Sequence, residues 1–156
     1  MDQSLSARAA AVEELSRLLN SATTQLDSVV SAEIDGLTPT QWHVLAALEG
    51  GVGAPMSALA AVTLLPGPSL TRLIDGMIDD NLVHRRPDDD DRRRVLVFQT
   101  RRGAGMFARA RARMARSEGV ADLLADPDGT LARIIDLVVD LRTADAAVAA
   151  DAVSLG

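Results

Sequence analysis

Residues 57–99 read SALAAVTLLPGPSLTRLIDGMIDDNLVHRRPDDDDRRRVLVFQ, and the periodicity changes twice within them. Ser57 can cap a short helix carrying Leu59, Ala60 and Val62. Leu64-Leu65-Pro66-Gly67-Pro68 reads as a turn, because proline and glycine punctuate the chain there. From Ser69 to about Asp80, Leu70, Leu73, Ile74, Met77 and Ile78 recur at helical spacing. Asn81 tolerates the left-handed conformation that commonly closes a helix. Leu82 to Arg86 and Val95 to Gln99 are then short and β-prone, on either side of a charged loop from Pro87 to Arg94. A short helix, a tight turn, a second helix and a β-hairpin make a winged helix-turn-helix.

Outward from this unit the text is helical. On the N-terminal side, Thr38-Pro39-Thr40-Gln41 has the layout of a capping box with proline at the first helical position. Trp42, Leu45 and Leu48 mark the apolar face that follows, and Gly50, Gly51 and Gly53 end it. Before it, Leu5 to about Ile34 reads as one long helix, broken by Asp35-Gly36. Leu5, Val12, Leu19 and Leu26 recur every seven residues, with Leu15, Ala22 and Val29 as a second seam. Such a seam either pairs with another helix or buries an ordinary one; pairing is preferred because it persists over four successive heptad positions. On the C-terminal side, Thr100 can cap a helix through about Glu118, carrying Met106, Phe107, Ala110 and Met114. Asp126-Pro127-Asp128-Gly129 interrupts, and Leu131, Ile134, Ile135, Val138 and Leu141 mark a last apolar helix. The expected fold class is mainly α with a small β-hairpin wing. Residues 1–36 form an N-terminal dimerisation helix, 37–103 the winged unit and 104–156 the C-terminal dimerisation helices.

Composition narrows the function. The chain of 156 residues has no cysteine, which removes disulfides, thiolate metal sites and thiol catalysis. Two histidines and no tyrosine leave few acid–base groups, so an enzyme is not expected. The acidic run Asp88 to Asp91 lies on a polar loop among arginines, without the glycine and closing glutamate of a calcium loop. No metal or cofactor is implied. No apolar run is long enough to span a bilayer and no secretory leader is legible, so a cytoplasmic protein is expected. The net charge is −6 and all sixteen basic residues are arginine. Seven of them (Arg85, Arg86, Arg92, Arg93, Arg94, Arg101 and Arg102) crowd one segment with four aspartates, leaving it at +3 and the rest at −9. A basic segment on an acidic body is either a local DNA contact or a solvated loop. Arginine-only, alanine-rich usage also points to a high-GC bacterial genome.

The motifs, taken in order, resemble the MarR family of bacterial winged helix-turn-helix transcription regulators. They are Leu37-Thr38-x-x-Gln41-x-x-Val44-Leu45, Leu59-Ala60, Ser69-Leu70-Thr71-Arg72-Leu73-Ile74-Asp75, Leu82-Val83-x-Arg85, Asp91-Arg92-Arg93 and Thr100-x-x-Gly103. The resemblance runs over roughly residues 5 to 145. Gln99, Asn81 and Gly76 depart from it, as do Pro66-Gly67-Pro68 and the acidic wing.

The second helix of such a unit can enter the major groove, whose base edges carry a distinguishable donor and acceptor code. Ser69, Thr71 and Arg72 fall in its first turns and are the expected DNA contacts there, with free backbone N–H groups suited to phosphate. Ser69 reads alternatively as a cap, and Arg72 as a partner of Asp75. Arg92, Arg93 and Arg94 belong to the wing, and guanidinium groups are favoured in narrow minor grooves. The resemblance matches Asp91 and Arg93 to the family's wing pair, in which the Asp braces the loop and an Arg reaches the DNA, and either Arg93 or Arg94 is the inserted residue. Asp88 to Asp90 are expected to point away from DNA or to pair with Arg85, Arg86 or Arg92. It also implies a pocket for a small aromatic or anionic effector near Arg17, Gln25, Trp42 and His43, although Trp42 is also readable as core and His43 as surface. The dimer interface is expected at Leu5, Val12, Leu15, Leu19, Ile135 and Val138. The function so implied is a ligand-responsive repressor, a homodimer on a palindromic operator with half-sites about 10 bp apart. The rival is a winged-helix dimer that has lost DNA binding and serves as a protein-interaction module.

Overall fold

A computed structural model describes residues 2–125, 129 and 132–139. Its elements run α1 (Asp2–Glu33), α2 (Pro39–Ala47), β1 (Ala54–Pro55), α3 (Met56–Thr63), α4 (Gly67–Asp79), β2 (Val83–Pro87), β3 (Val95–Gln99), α5 (Arg101–Met114) and α6 (Glu118–Leu124). The chain divides into two units, Met1–Arg116 and Ser117–Gly156. The first is a winged helix-turn-helix preceded by a long helix. The second holds α6, which Ser117 caps through the Val120 N–H, and a helical stretch at 132–139.

Local chemistry sets most boundaries. Thr38 and Gln41 form the capping box of α2: the Gln41 N–H donates to Thr38 Oγ1 at 3.2 Å and the Thr38 N–H donates to Gln41 Oε1 at 2.9 Å. Asn81 adopts φ +56° and closes α4, as a residue tolerant of that region should. Thr100 caps α5, accepting the Gly103 N–H at 3.0 Å. Three boundaries differ from the sequence reading. Helix α3 begins at Met56, with Pro55 in the cap position and no side-chain cap, so Ser57 lies inside it. Helix α4 begins two residues early, at Gly67, because Pro68 is at home in a first helical turn. Helix α5 ends at Met114, short of Glu118, because Ser117 starts a new helix.

Leu70, Ile74 and Met77 of α4 are buried, together with Val44, Leu45, Leu48, Leu59, Leu82, Val83, Val97 and Phe107. Each such side chain contributes about 1.5–3 kcal/mol on burial. Rotating α4 by one residue would expose all three of its own, so the core fixes which face it turns outward. The sheet is antiparallel and three-stranded, in the order β1-β3-β2. The β2–β3 register pairs Val83 with Gln99 and Pro87 with Val95. Strand β1 is an addition to the sequence reading: Ala54 and Pro55 pair with Val97 and Leu96, and two residues are too few to carry an alternation. Gln99 is half-buried, and its amide donates to the Leu45 carbonyl on α2, tying the wing base to the helical core.

One junction holds these parts. The Leu82 carbonyl accepts the Thr100 N–H at 3.0 Å, while the Thr100 hydroxyl donates to the Asn81 carbonyl at 2.6 Å. Gly103 presses on the same Leu82 carbonyl so closely that an added Cβ would lie 2.0 Å from its oxygen. Gly103→Ala is therefore expected to destabilise the fold by about 1–3 kcal/mol or more. Gly76, mid-way along α4 with nothing within 4 Å of a built Cβ, is its counterpart. Gly76→Ala should stabilise by about 1 kcal/mol from helix propensity alone. Urea unfolding of the two variants checks both, and equal shifts would refute the steric account.

Candidate nucleic-acid interface

Two surfaces flank the core: the outward ridge of α4 and the wing tip. At about 100° per residue, Pro68, Arg72, Asp75 and Asp79 lie opposite the buried Leu70, Ile74 and Met77. Thr71 and Ser69 lie on either flank of that ridge, Thr71 exposed and Ser69 half-buried. Arg72 is exposed and makes no ion pair among the described residues. Its sequence-level alternative, pairing with Asp75, is not taken. Asp75 Oδ1 instead accepts from Arg85 Nη1 at 2.7 Å, joining α4 to β2. Alternation could have found this pair, since Arg85 shares a strand face with the buried Val83.

The start of α4 corrects two expectations. Ser69 is not the cap: Pro66 holds that position and offers no side-chain hydrogen bond. Nor is the terminus rich in free donors. Pro66 and Pro68 have no N–H, and those of Ser69 and Leu70 both point to the Pro66 carbonyl at 3.0 Å. The Thr71 hydroxyl donates back to the Gly67 carbonyl at 3.0 Å.

The wing tip is braced by its own acids. The Asp88 N–H donates to the Arg94 carbonyl at 2.9 Å and the Arg94 N–H to the Asp91 carbonyl at 2.8 Å, closing the loop. Asp91 Oδ1 accepts the Arg93 N–H at 3.1 Å, the bracing expected of that residue. Asp88 lies 3.7 Å from Arg94 and Asp89 3.2 Å from Arg86. Of the pairings expected for the wing aspartates, the one with Arg86 forms, while Arg85 serves Asp75 and Arg94 takes the place given to Arg92. The Arg86 guanidinium also sits 4.6 Å from the Phe98 ring centroid, and His84 stacks on that ring at 5.6 Å. Arg92 and Arg93 are left exposed, with no side-chain ion pair among the described residues. Three arginines, Arg72, Arg92 and Arg93, thus present uncommitted guanidinium groups, two on one braced loop and one on α4.

The effector-pocket residues are dispersed. Arg17 is engaged by Glu14 through two hydrogen bonds of 2.9 and 2.6 Å, which hold the glutamate carboxyl below its ordinary pKa and raise that of the guanidinium. Gln25 is exposed on the same helix. Trp42 packs on Phe107, ring centroids 6.2 Å apart, with His43 at 5.3 Å on its other side. Its indole N–H is buried and has no acceptor among the described residues. A cavity of about 340 Å³ lies instead between the end of α1 and α5, lined by Glu33, Asp35, Arg102, Met106, Arg109 and Arg113. No group of three or more metal-ligating side chains forms among the described residues, and no single helix there is long and apolar enough to cross a membrane.

Of the residues expected at a dimer interface, Val12 and Leu15 are exposed on α1 and Leu19 half-buried, while Ile135 and Val138 are exposed in the second unit. The Leu5 side chain lies outside the described residues, as do Leu131 and Leu141.

Comparison with known proteins places this geometry. Residues 35–94 match the model of the MarR family. A mutant of MarR from E. coli, solved with operator DNA, superposes with a TM-score of 0.71 at 21% identity, over 84% of this chain and 95% of that one. The M. tuberculosis transcriptional regulator MosR, solved in complex with DNA, gives 0.66 at 26% identity over 84% and 95%. The transcriptional repressor CouR, bound to a 23-mer duplex, gives 0.57 at 26% identity over 84% and 95%. No curated protein sequence matches. With these motifs in order and the winged helix in place, the chain is similar to MarR-family transcription regulators, and residues 35–94 carry the match to the family itself.

Proposed function

We propose that this regulator binds double-stranded DNA sequence-specifically, as a homodimer on a palindromic operator, and represses transcription until a small effector releases it. The observation that carries the DNA reading is the set of uncommitted guanidinium groups at Arg72, Arg92 and Arg93. Every wing acid except Asp90 is engaged by the loop or its arginines, so the tip is preorganised around its two free cations. The solved complexes of relatives with DNA support the same docking. Of the wing arginines, Arg93 is preferred over Arg94 for the minor groove, because Arg94 is held by Asp88. Repression needs only occupancy of the operator, which a dimer of this kind supplies.

Dimerisation is supported by the exposed apolar side chains of α1, Val12 at 66%, Leu18 at 50% and Leu26 at 47%, which a lone chain would leave in water. The effector is proposed to be an aromatic acid or other small anion. The cavity between α1 and α5 supports this, since Arg102, Arg109 and Arg113 outnumber the acids Glu33 and Asp35 in its lining.

Arg92→Ala with Arg93→Ala should weaken operator binding and lower the slope of log K against log salt by about 0.9 for each phosphate no longer neutralised. Weaker binding with an unchanged slope would place both arginines off the phosphate backbone, and unchanged affinity would remove the wing from the interface. Val12→Asp with Leu15→Asp should shift the protein from dimer to monomer in sedimentation. A stable mutant dimer would move the interface elsewhere. Titration with a panel of aromatic acids should reduce operator affinity, and Arg109→Ala should blunt that response.

A further inference from the structure

The ridge of α4 is poor in hydrogen-bond donors, and this limits what it can read. Pro68 has no N–H and no polar side-chain atom. Thr71 has committed its hydroxyl proton to the Gly67 carbonyl, leaving its methyl group as the uncommitted part of the side chain. Asp75 is held by Arg85. Of the N–H groups in the first turn, Pro66 and Pro68 supply none and those of Ser69 and Leu70 turn back to Pro66, which leaves that of Gly67. Arg72 alone carries an exposed, unpaired fork of donors on that ridge. Just before the helix, Leu64 is 86% exposed although its φ of +55° is unfavourable for a branched side chain. The N-terminal half of the ridge therefore offers apolar groups and one guanidinium, with the acids Asp75 and Asp79 lying farther along the helix.

In the major groove, a guanidinium fork matches guanine O6 and N7, and apolar groups match the thymine C5-methyl. We propose that α4 reads thymine methyl groups through Pro68 and the Thr71 methyl, beside a single guanine bound by Arg72. This rests on the DNA-binding reading above and names the base chemistry of the same site. The acceptor lone pairs of Thr71 do not compete, because its methyl and hydroxyl share one carbon and the hydroxyl is turned to the helix backbone.

The test begins with selection of tight duplexes from a random pool by the full chain. Each selected half-site should hold a guanine next to thymines. Replacing those thymines with deoxyuridine, which removes only the methyl, should weaken binding about three- to five-fold per methyl buried. Replacing the guanine with 7-deazaguanine should weaken it about ten-fold, within the range for one bidentate pair. Arg72→Ala should bind guanine and 7-deazaguanine duplexes alike. Thr71→Ser keeps the hydroxyl bond and removes the methyl, so it should bind thymine and deoxyuridine duplexes more nearly alike. Tight binding indifferent to both base analogues would overturn the inference while leaving DNA binding intact. Failure to enrich any duplex would overturn the DNA-binding reading itself, and the inference with it.

Discussion

The carbonyl of Leu82 is where the molecule is tied together. It accepts the Thr100 N–H, lies under the Cα of Gly103 and follows directly on the left-handed Asn81 that closes α4. Three elements with different surfaces, α4, the wing and α5, therefore diverge from one small polar knot. The knot is small in extent and strict in geometry. A side chain at position 103 would separate α5 from the base of the hairpin, and the wing would lose its angle to α4. The bridge from Asp75 to Arg85 and the amide of Gln99 on the Leu45 carbonyl repeat the constraint farther along each strand.

The wing shows how an acidic protein can keep a cationic tip. Four aspartates stand beside three arginines in the loop, yet the acids act at short range within it. Asp91 and Asp88 accept backbone N–H groups, and Asp88 and Asp89 neutralise arginines that have other work, Arg94 at the loop closure and Arg86 over the Phe98 ring. What remains outward is a pair of guanidinium groups on a shaped backbone. Surface ion pairs of this kind contribute little to stability. Their effect here is on geometry.

Much of the fold can be read from the residues themselves. The heptad-like spacing of Leu5 to Leu26 marks a long helix, and Thr38-Pro39-x-Gln41 marks the next to the residue. Asn81 and Thr100 declare their caps by chemistry that needs no neighbours. The misreadings fall where tertiary partners or competing local signals decide. Ser69 has a side chain that suits a cap, but Pro68 suits the first turn better and moves the start of α4 upstream. Strand β1 exists only because β3 has a free edge beside it. The site is half legible: the arginines can be named, but which of them are already occupied depends on partners ten residues away or on the far side of a loop. Arg72 is free because Arg85 reaches Asp75 first, and no local spacing announces that.

The bond from the Asp88 N–H to the Arg94 carbonyl has a consequence for how such a protein can change. Everything beyond it is exposed, and none of the side chains from Asp89 to Arg93 enters the core. The tip behaves as a cassette. Residues can be exchanged, removed or added there at the modest entropic cost of a surface loop, while α4 cannot shift by one position without surrendering Leu70, Ile74 and Met77 together. Divergence within one scaffold is thus channelled: rapid and length-tolerant at the hairpin tip, slow and confined to side-chain swaps along the helix.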